Sequence, residues 1–206
     1  MVELDLKGRK AFVTGGSRGI GAGICRVIAD CGGSVVLTFQ SNQKAADELA
    51  ASLNEKHVRA KAIQASAENE DEMGLSVSEA VAFLGGIDIL VANVGKNWVA
   101  DVSKLSIADW RRGVELNLTT AYIAVKMALP FLKQAPRADI LLIGSSGVYD
   151  GGGGSPFYAA SKAGMVGLMR SLMRELPQNK IHVNTIHPCV VDTDLLRSRY
   201  RSEERR

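Results

Sequence analysis

The sequence predicts a doubly wound α/β domain, a parallel sheet with helices on both faces. Three observations carry that expectation. Short β-branched apolar runs alternate with longer helix-patterned segments along most of the 206 residues, as a parallel sheet with crossover helices requires. The runs are mostly apolar on both faces, the pattern of strands covered on each side. The 21 glycines are too many for a helical bundle and mark tight turns where backbone approaches something closely.

In chain order, the first strand is expected at 10–14 (KAFVT), followed by a glycine-rich turn and a helix over 20–31. The second strand, 34–39 (SVVLTF), leads into a helix over 44–55, and the third, 58–64, into one over 70–84. The run 87–92 (IDILVA) is the fourth strand, followed by an unusually long helix-patterned stretch, 107–134. The fifth strand, 139–144 (DILLIG), precedes a helix over 157–176, and 181–186 (IHVNTI) closes the series. No repeat, linker or proline-rich stretch interrupts it, so residues 1–196 read as a single domain.

Composition narrows the functional classes. With 46% hydrophobic and 23% charged residues the chain is ordinary globular material, neither disordered nor collagen-like. The net charge of +3 resides in the tail 197–206, where five Arg stand against two Glu. The preceding residues sum to zero, so no nucleic-acid partner is expected. No signal pattern opens the chain and no apolar run approaches the roughly 18 residues that span a bilayer. The expectation is a soluble cytoplasmic protein with no membrane association. Cys25, Cys31 and Cys189 lack metal or disulfide spacing and read as buried thiols, and His57, His182 and His187 are dispersed, so no metal site is expected.

A doubly wound sheet binds its ligand at the carboxyl ends of the strands, where loops enter helices. The first such loop is TGGSRGIG, residues 14–21, with Gly15, Gly19 and Gly21 in G-x3-G-x-G spacing and Ser17, Arg18 and Ile20 between them. Glycines permit close approach, and the free N–H groups and dipole of the following helix favour a phosphate. No Gly-Lys-Ser/Thr ends the run, so it is not a nucleoside-triphosphate P-loop. Following the first strand, it fits the dinucleotide-binding turn of a Rossmann fold. After the second strand, Phe39-Gln40-Ser41-Asn42 offers no acid for a ribose 2′-hydroxyl. Arg18 with Ser41 or Asn42 suits a 2′-phosphate instead, which favours NADP(H) over NAD(H).

Tyr158 and Lys162 lie four residues apart in YAASK, on one face of the predicted helix. A phenol with a free pKa near 10 is a poor acid/base at neutral pH, and a neighbouring ammonium that lowers it makes it a usable one. Ser145 ends the fifth strand thirteen residues upstream, on the same sheet edge, with Ser146 as its rival for the pocket.

Together TGGSRGIG, Asn93-Val94-Gly95, Asn117, Ser145, YAASK and the 188–193 segment resemble the short-chain dehydrogenase/reductase family over about residues 6–196. The resemblance implies an oxidoreductase that moves a hydride between a nicotinamide and a ketone or secondary alcohol. Ser145 would bond the substrate carbonyl, Tyr158 would exchange a proton with its oxygen, and Lys162 would hold the nicotinamide ribose. Asn117 would hold a relay water, or else simply cap or brace the sheet. Asn93 would stabilise the central sheet beside the adenosine ribose, Thr193 with the backbone of Val190 or Val191 would meet the nicotinamide carboxamide, and Gly95 and Pro188 would also belong to the cofactor site. The chain departs from the family at Ala92 and Val94 (usually Asn-Asn-Ala-Gly), at Cys189 (usually Gly) and at Ser66-Ala67. It also carries the tail 197–206 where the family continues with a closing segment. That supports an alternative, a catalytically silent nucleotide-binding or regulatory protein of the same fold. The family's habits point to a homodimer through the 107–134 and 157–176 helices rather than a tetramer.

Overall fold

In the computed structural model, which describes residues 4–197, six parallel strands form one sheet in the order β3-β2-β1-β4-β5-β6. The strands are β1 (Lys10–Val13), β2 (Ser34–Phe39), β3 (Ala60–Gln64), β4 (Ile89–Ala92), β5 (Ala138–Ile143) and β6 (Ile181–Ile186). All six expected strands are present, with ends moved by no more than two residues. The order reverses between β1 and β4. The chain winds outward from β1 to β3, returns to β4 beside β1, and winds the other way to β6. Such a switch point opens a crevice at the strands' carboxyl ends.

Successive residues of β1 point to opposite faces and fill two separate cores. Ala11 and Val13 join Val35 and Leu37 beneath helices α1 (Gly19–Asp30) and α2 (Gln43–Asn54), through Cys25, Ile28, Leu49 and Leu53. Phe12, Val36, Leu90 and Leu142 face α3 (Glu70–Leu84), α5 (Thr120–Leu132) and α7 (Pro156–Glu175). Asn69 caps α3, its side chain accepting from the N–H groups of Asp71 and Glu72. Asn42 caps α2 through Ala45 N–H. At the edge strand β6, Ile181 and Val183 are buried but His182 and Asn184, on the other face, are exposed.

The long helix expected over 107–134 is corrected by the structure. It divides into α4 (Ile107–Val114), a π-helical turn over Glu115–Thr119, and α5. The cause is tertiary. Fully buried Asn117 donates to Gly113 O at 2.9 Å and also reaches Lys96, while the Phe157 ring fills the space over Gly113, where a Cβ would lie 2.2 Å from it. Widened turns of this kind are frequent at functional sites. A short helix, α6 (Gly147–Asp150), links β5 to the segment before α7.

Candidate active site

The crevice at the switch point is a cavity of about 600 Å³. At one end lies the turn between β1 and α1. Gly15 has φ +62°, and a Cβ on Gly21 would sit 2.4 Å from Gly15 O and 2.6 Å from Asn93 Nδ2, so the turn closes only on glycine. Asn93 fixes it from the neighbouring strand end, donating from Nδ2 to Thr14 O at 3.1 Å and Gly15 O at 3.0 Å. Arg18 precedes α1 in extended conformation and is exposed, and its guanidinium has no partner among the described residues. Ser41, after β2, faces the same end of the cavity.

At the other end stand Tyr158 and Lys162. Pro156 opens α7 in the position where its missing N–H costs nothing, and Tyr158 and Lys162 follow one turn apart. Lys162 is buried, its Nζ donating to Ile143 O at 2.8 Å and lying 5.7 Å from the centre of the Tyr158 ring. Burial pushes the ammonium down to about 8. One donor is spent on Ile143, leaving two that can serve ribose hydroxyls.

Of the sequence-derived site residues, Gly15, Ser17, Arg18, Gly19, Ile20, Ser41, Asn93, Gly95, Tyr158, Lys162 and Thr193 line this one cavity. Gly21, Asn117, Ser145, Pro188, Val190 and Val191 are not on its lining. Gly21 lies behind the loop. Ser145 immediately follows Gly144, which is on the lining, and its Oγ accepts from Gly147 N–H at 3.2 Å and keeps its own proton to donate. Ser146, its rival, is likewise off the lining. The Asn117 amide is engaged at both ends, accepting from Lys96 N–H at 3.1 Å and donating to Lys96 O at 2.8 Å and to Gly113 O. Both of its amide hydrogens are thus taken up by backbone carbonyls. Val190 and Val191 are exposed.

Other residues in and beside the site belong to no recognisable sequence pattern. His187 Nδ1 lies 3.1 Å from Ser145 O and its Nε2 2.9 Å from Thr185 Oγ1, and a Cβ on Gly144 would fall 2.4 Å from that ring. Glu68, on the lining, pairs with Arg112 of α4. Asn97 and Trp98 follow Gly95 into the cavity wall. The expectation of buried thiols holds for Cys25, whose thiol burial pushes up to about 12, but Cys31 is half-buried and Cys189 exposed. No cluster of metal-ligating side chains occurs among the described residues, and none of their helices is long and apolar enough to cross a membrane.

The fold and the site define a dinucleotide-binding α/β protein with a Tyr and Lys pair facing the cofactor crevice. The profile of the short-chain dehydrogenase family matches residues 9–204. A 3-oxoacyl-(acyl-carrier-protein) reductase, FabG of Aquifex aeolicus, is 30% identical over 197 residues, covering 94% of this chain and 78% of that protein. A short-chain dehydrogenase of Burkholderia cenocepacia solved with NADP superposes with a TM-score of 0.87 at 33% identity, over 92% of this chain and 77% of that one. A 7α-hydroxysteroid dehydrogenase solved with NADH and a 7-oxo bile acid gives 0.89 at 31% identity, covering 95% and 76%. The chain belongs to the short-chain dehydrogenase family, whose members are nicotinamide-dependent oxidoreductases of CH–OH and C=O groups.

The residues present fit such a cofactor. A tight glycine turn, in which a Cβ at Gly16 or Gly21 would clash with its surroundings, lies at one end of the cavity, and an ammonium buried beside a phenol lies at the other.

Proposed function

We propose that the protein is an NADP(H)-dependent reductase of a ketone, or dehydrogenase of the corresponding secondary alcohol, with Tyr158 as its general acid/base. One observation carries this reading: a single cavity runs from the unpaired Arg18 guanidinium to the Tyr158 and Lys162 pair. When bound, the nicotinamide supplies or accepts the hydride. Tyr158 donates its phenolic proton to the substrate oxygen during reduction and recovers it during oxidation. Lys162 stabilises the phenolate by its charge and holds the ribose with its two remaining N–H donors. Ser145 donates to the same substrate oxygen, so that two fixed donors meet the developing alkoxide. Asn117 acts by holding the backbone at Lys96.

Preference for the 2′-phosphorylated cofactor rests on Arg18 beside Ser41 and on the absence of an acid after β2. The NADP-bound neighbour supports it and the NADH-bound one does not. Cytoplasmic location and a homodimer belong to the same proposal. The helices it would use each present a half-exposed apolar side chain, Tyr122 on α5 and Met173 on α7. Residues 1–196 form the catalytic domain in this reading, and the basic tail lies almost wholly outside the described residues.

The test is a panel of ketones and 3-oxoacyl thioesters with NADPH or NADH, followed by nicotinamide absorbance. Tyr158→Phe is expected to lose turnover and keep NADPH binding. Wild-type turnover in that variant, or none by the parent protein on any panel member, would overturn the reading.

A further inference from the structure

Tyr158 is the third residue of α7, so the segment just before it decides where the phenol points. That segment has little stiffness of its own. Gly151, Gly153 and Gly154 all adopt positive φ, at +72°, +105° and +78°. Yet it is pressed against the ring, since a Cβ on Gly153 would lie 2.4 Å from Tyr158 Cδ1.

The order comes from across the cavity, from the chain that leaves β4. Asn97 donates from Nδ2 to Gly153 O, and its Oδ1 accepts from Ser155 Oγ at 3.1 Å. Ala100 N–H donates to Gly154 O at 3.0 Å. The Trp98 ring packs on Phe157, with centres 4.1 Å apart and planes tilted by 35°. Phe157 is fully buried over Gly113 and directly precedes Tyr158. One residue earlier, Asn117 grips both backbone groups of Lys96. The stretch 96–100 is thus anchored to the π-helical turn at its start and holds the glycine segment and the first turn of α7 beyond it.

We infer that Asn97 and Trp98 are positioning residues for Tyr158, a clamp from the chain after β4 onto the segment and helix turn that carry the phenol. The inference rests on Tyr158 being the proton donor. Asn97 spends both ends of its amide on the clamp, and Trp98 meets α7 through Phe157 rather than through Tyr158 itself. A phenol released from it samples positions away from the substrate oxygen, and misplacement of about 1 Å can cost a hundredfold in rate.

The test uses Asn97→Ala, Asn97→Asp, Trp98→Ala and Trp98→Phe in the full chain. Each is measured for turnover of ethyl acetoacetate with NADPH, for NADPH affinity, and for hydrogen exchange of the 150–162 segment against 120–132. Asn97→Asp keeps the acceptor for Ser155 and loses the donor to Gly153, so it reports on the clamp even if Asn97→Ala fails to fold. In Asn97→Asp and Trp98→Ala, kcat is expected to fall about tenfold with KM and NADPH affinity within about twofold. Exchange is expected to rise in 150–162 alone, and Trp98→Phe, which keeps a ring against Phe157, should restore most of kcat. Unchanged exchange in 150–162 overturns the clamp whatever the turnover. Raised exchange with unchanged kcat overturns its positioning role. A parent protein without turnover defeats the proposed function instead, and the exchange comparison still decides whether the clamp exists.

Discussion

At the scale of the residue, Lys162 is where folding and chemistry oppose each other. Burial holds its ammonium at about 8 instead of 10.5. Between those values the unfolded chain binds the proton that the folded chain has released, so stability of the cofactor-free protein rises with pH across that window. The burden at neutral pH is about 3 kcal/mol by that linkage. Lys162→Met should therefore unfold at higher temperature than the parent at pH 7 and lose this rise, while losing activity. The same residue predicts that kcat/KM for ketone reduction falls as pH rises through about 8, because the charge that makes Tyr158 a usable acid/base is then gone. A profile flat across that pH would remove Lys162 from this role. Arg18 is the other charged residue with a separable task. A charge-assisted hydrogen bond contributes about 1.5–3 kcal/mol, so Arg18→Ala should weaken NADPH binding by roughly ten- to a hundredfold and leave NADH binding nearly unchanged. Equal losses for both cofactors would exclude a 2′-phosphate contact.

At the scale of the element, the turn between β1 and α1 and the turn between α4 and α5 behave differently under substitution and were unequally legible. The first is written in adjacent residues. Its glycines, the strand before it and the helix after it are contiguous, and the reason for Gly21 is local, a backbone oxygen 2.4 Å from where a Cβ would be. Gly21→Ala should accordingly weaken NADPH binding by tenfold or more, on the order of 1.4 kcal/mol, as titration would show. The strands were legible because a run apolar on both faces has few other places to go in a domain of this size. The second turn is not written locally. Residues 107–134 keep a helical pattern through Glu115–Thr119, and the break depends on Asn117 meeting Lys96 and on Phe157 filling the space over Gly113, partners 21 and 44 residues away in the chain. The role of Asn97 escaped for the same reason, since its partners Gly153 and Ser155 lie in a glycine stretch that has no pattern to read. Thus the cofactor end of the site could be read from sequence, whereas the wall that orients Tyr158 required the fold.

At the scale of the molecule, the sheet separates function from fastening. Every proposed chemical group lies at the carboxyl ends of the strands, and the opposite ends are joined by a charge cluster. Arg9, just before β1, bonds Asp88, just before β4, at 2.8 Å and Asp139, in β5, at 2.7 Å. Asp139 also faces His182 of β6 at 3.2 Å and Arg137 at 3.7 Å. Four neighbouring strands are therefore tied through one guanidinium and two carboxylates. Partial burial would raise the Asp139 pKa, but the hydrogen bonds from Arg9 and His182, with the charges of Arg137 and Arg9, outweigh it and hold the group below its ordinary value. A carboxylate depressed in the fold contributes stability that is fully present above its unfolded pKa, near 3.9, and is lost as pH falls through the lower folded value. Arg9→Ala leaves Asp88 and Asp139 without their shared partner, and should cost on the order of 1–3 kcal/mol near neutral pH. Its deficit should shrink in acid, where the parent loses the same contribution. NADPH affinity and kcat should stay near the parent's, because the cluster lies at the far ends of the strands from the cavity. A thermal-unfolding series against pH, paired with NADPH titration, decides it. A deficit independent of pH would mean that Arg9 stabilises through its aliphatic stem rather than its charge, and a parallel loss of NADPH affinity would mean that the two ends of the sheet are coupled.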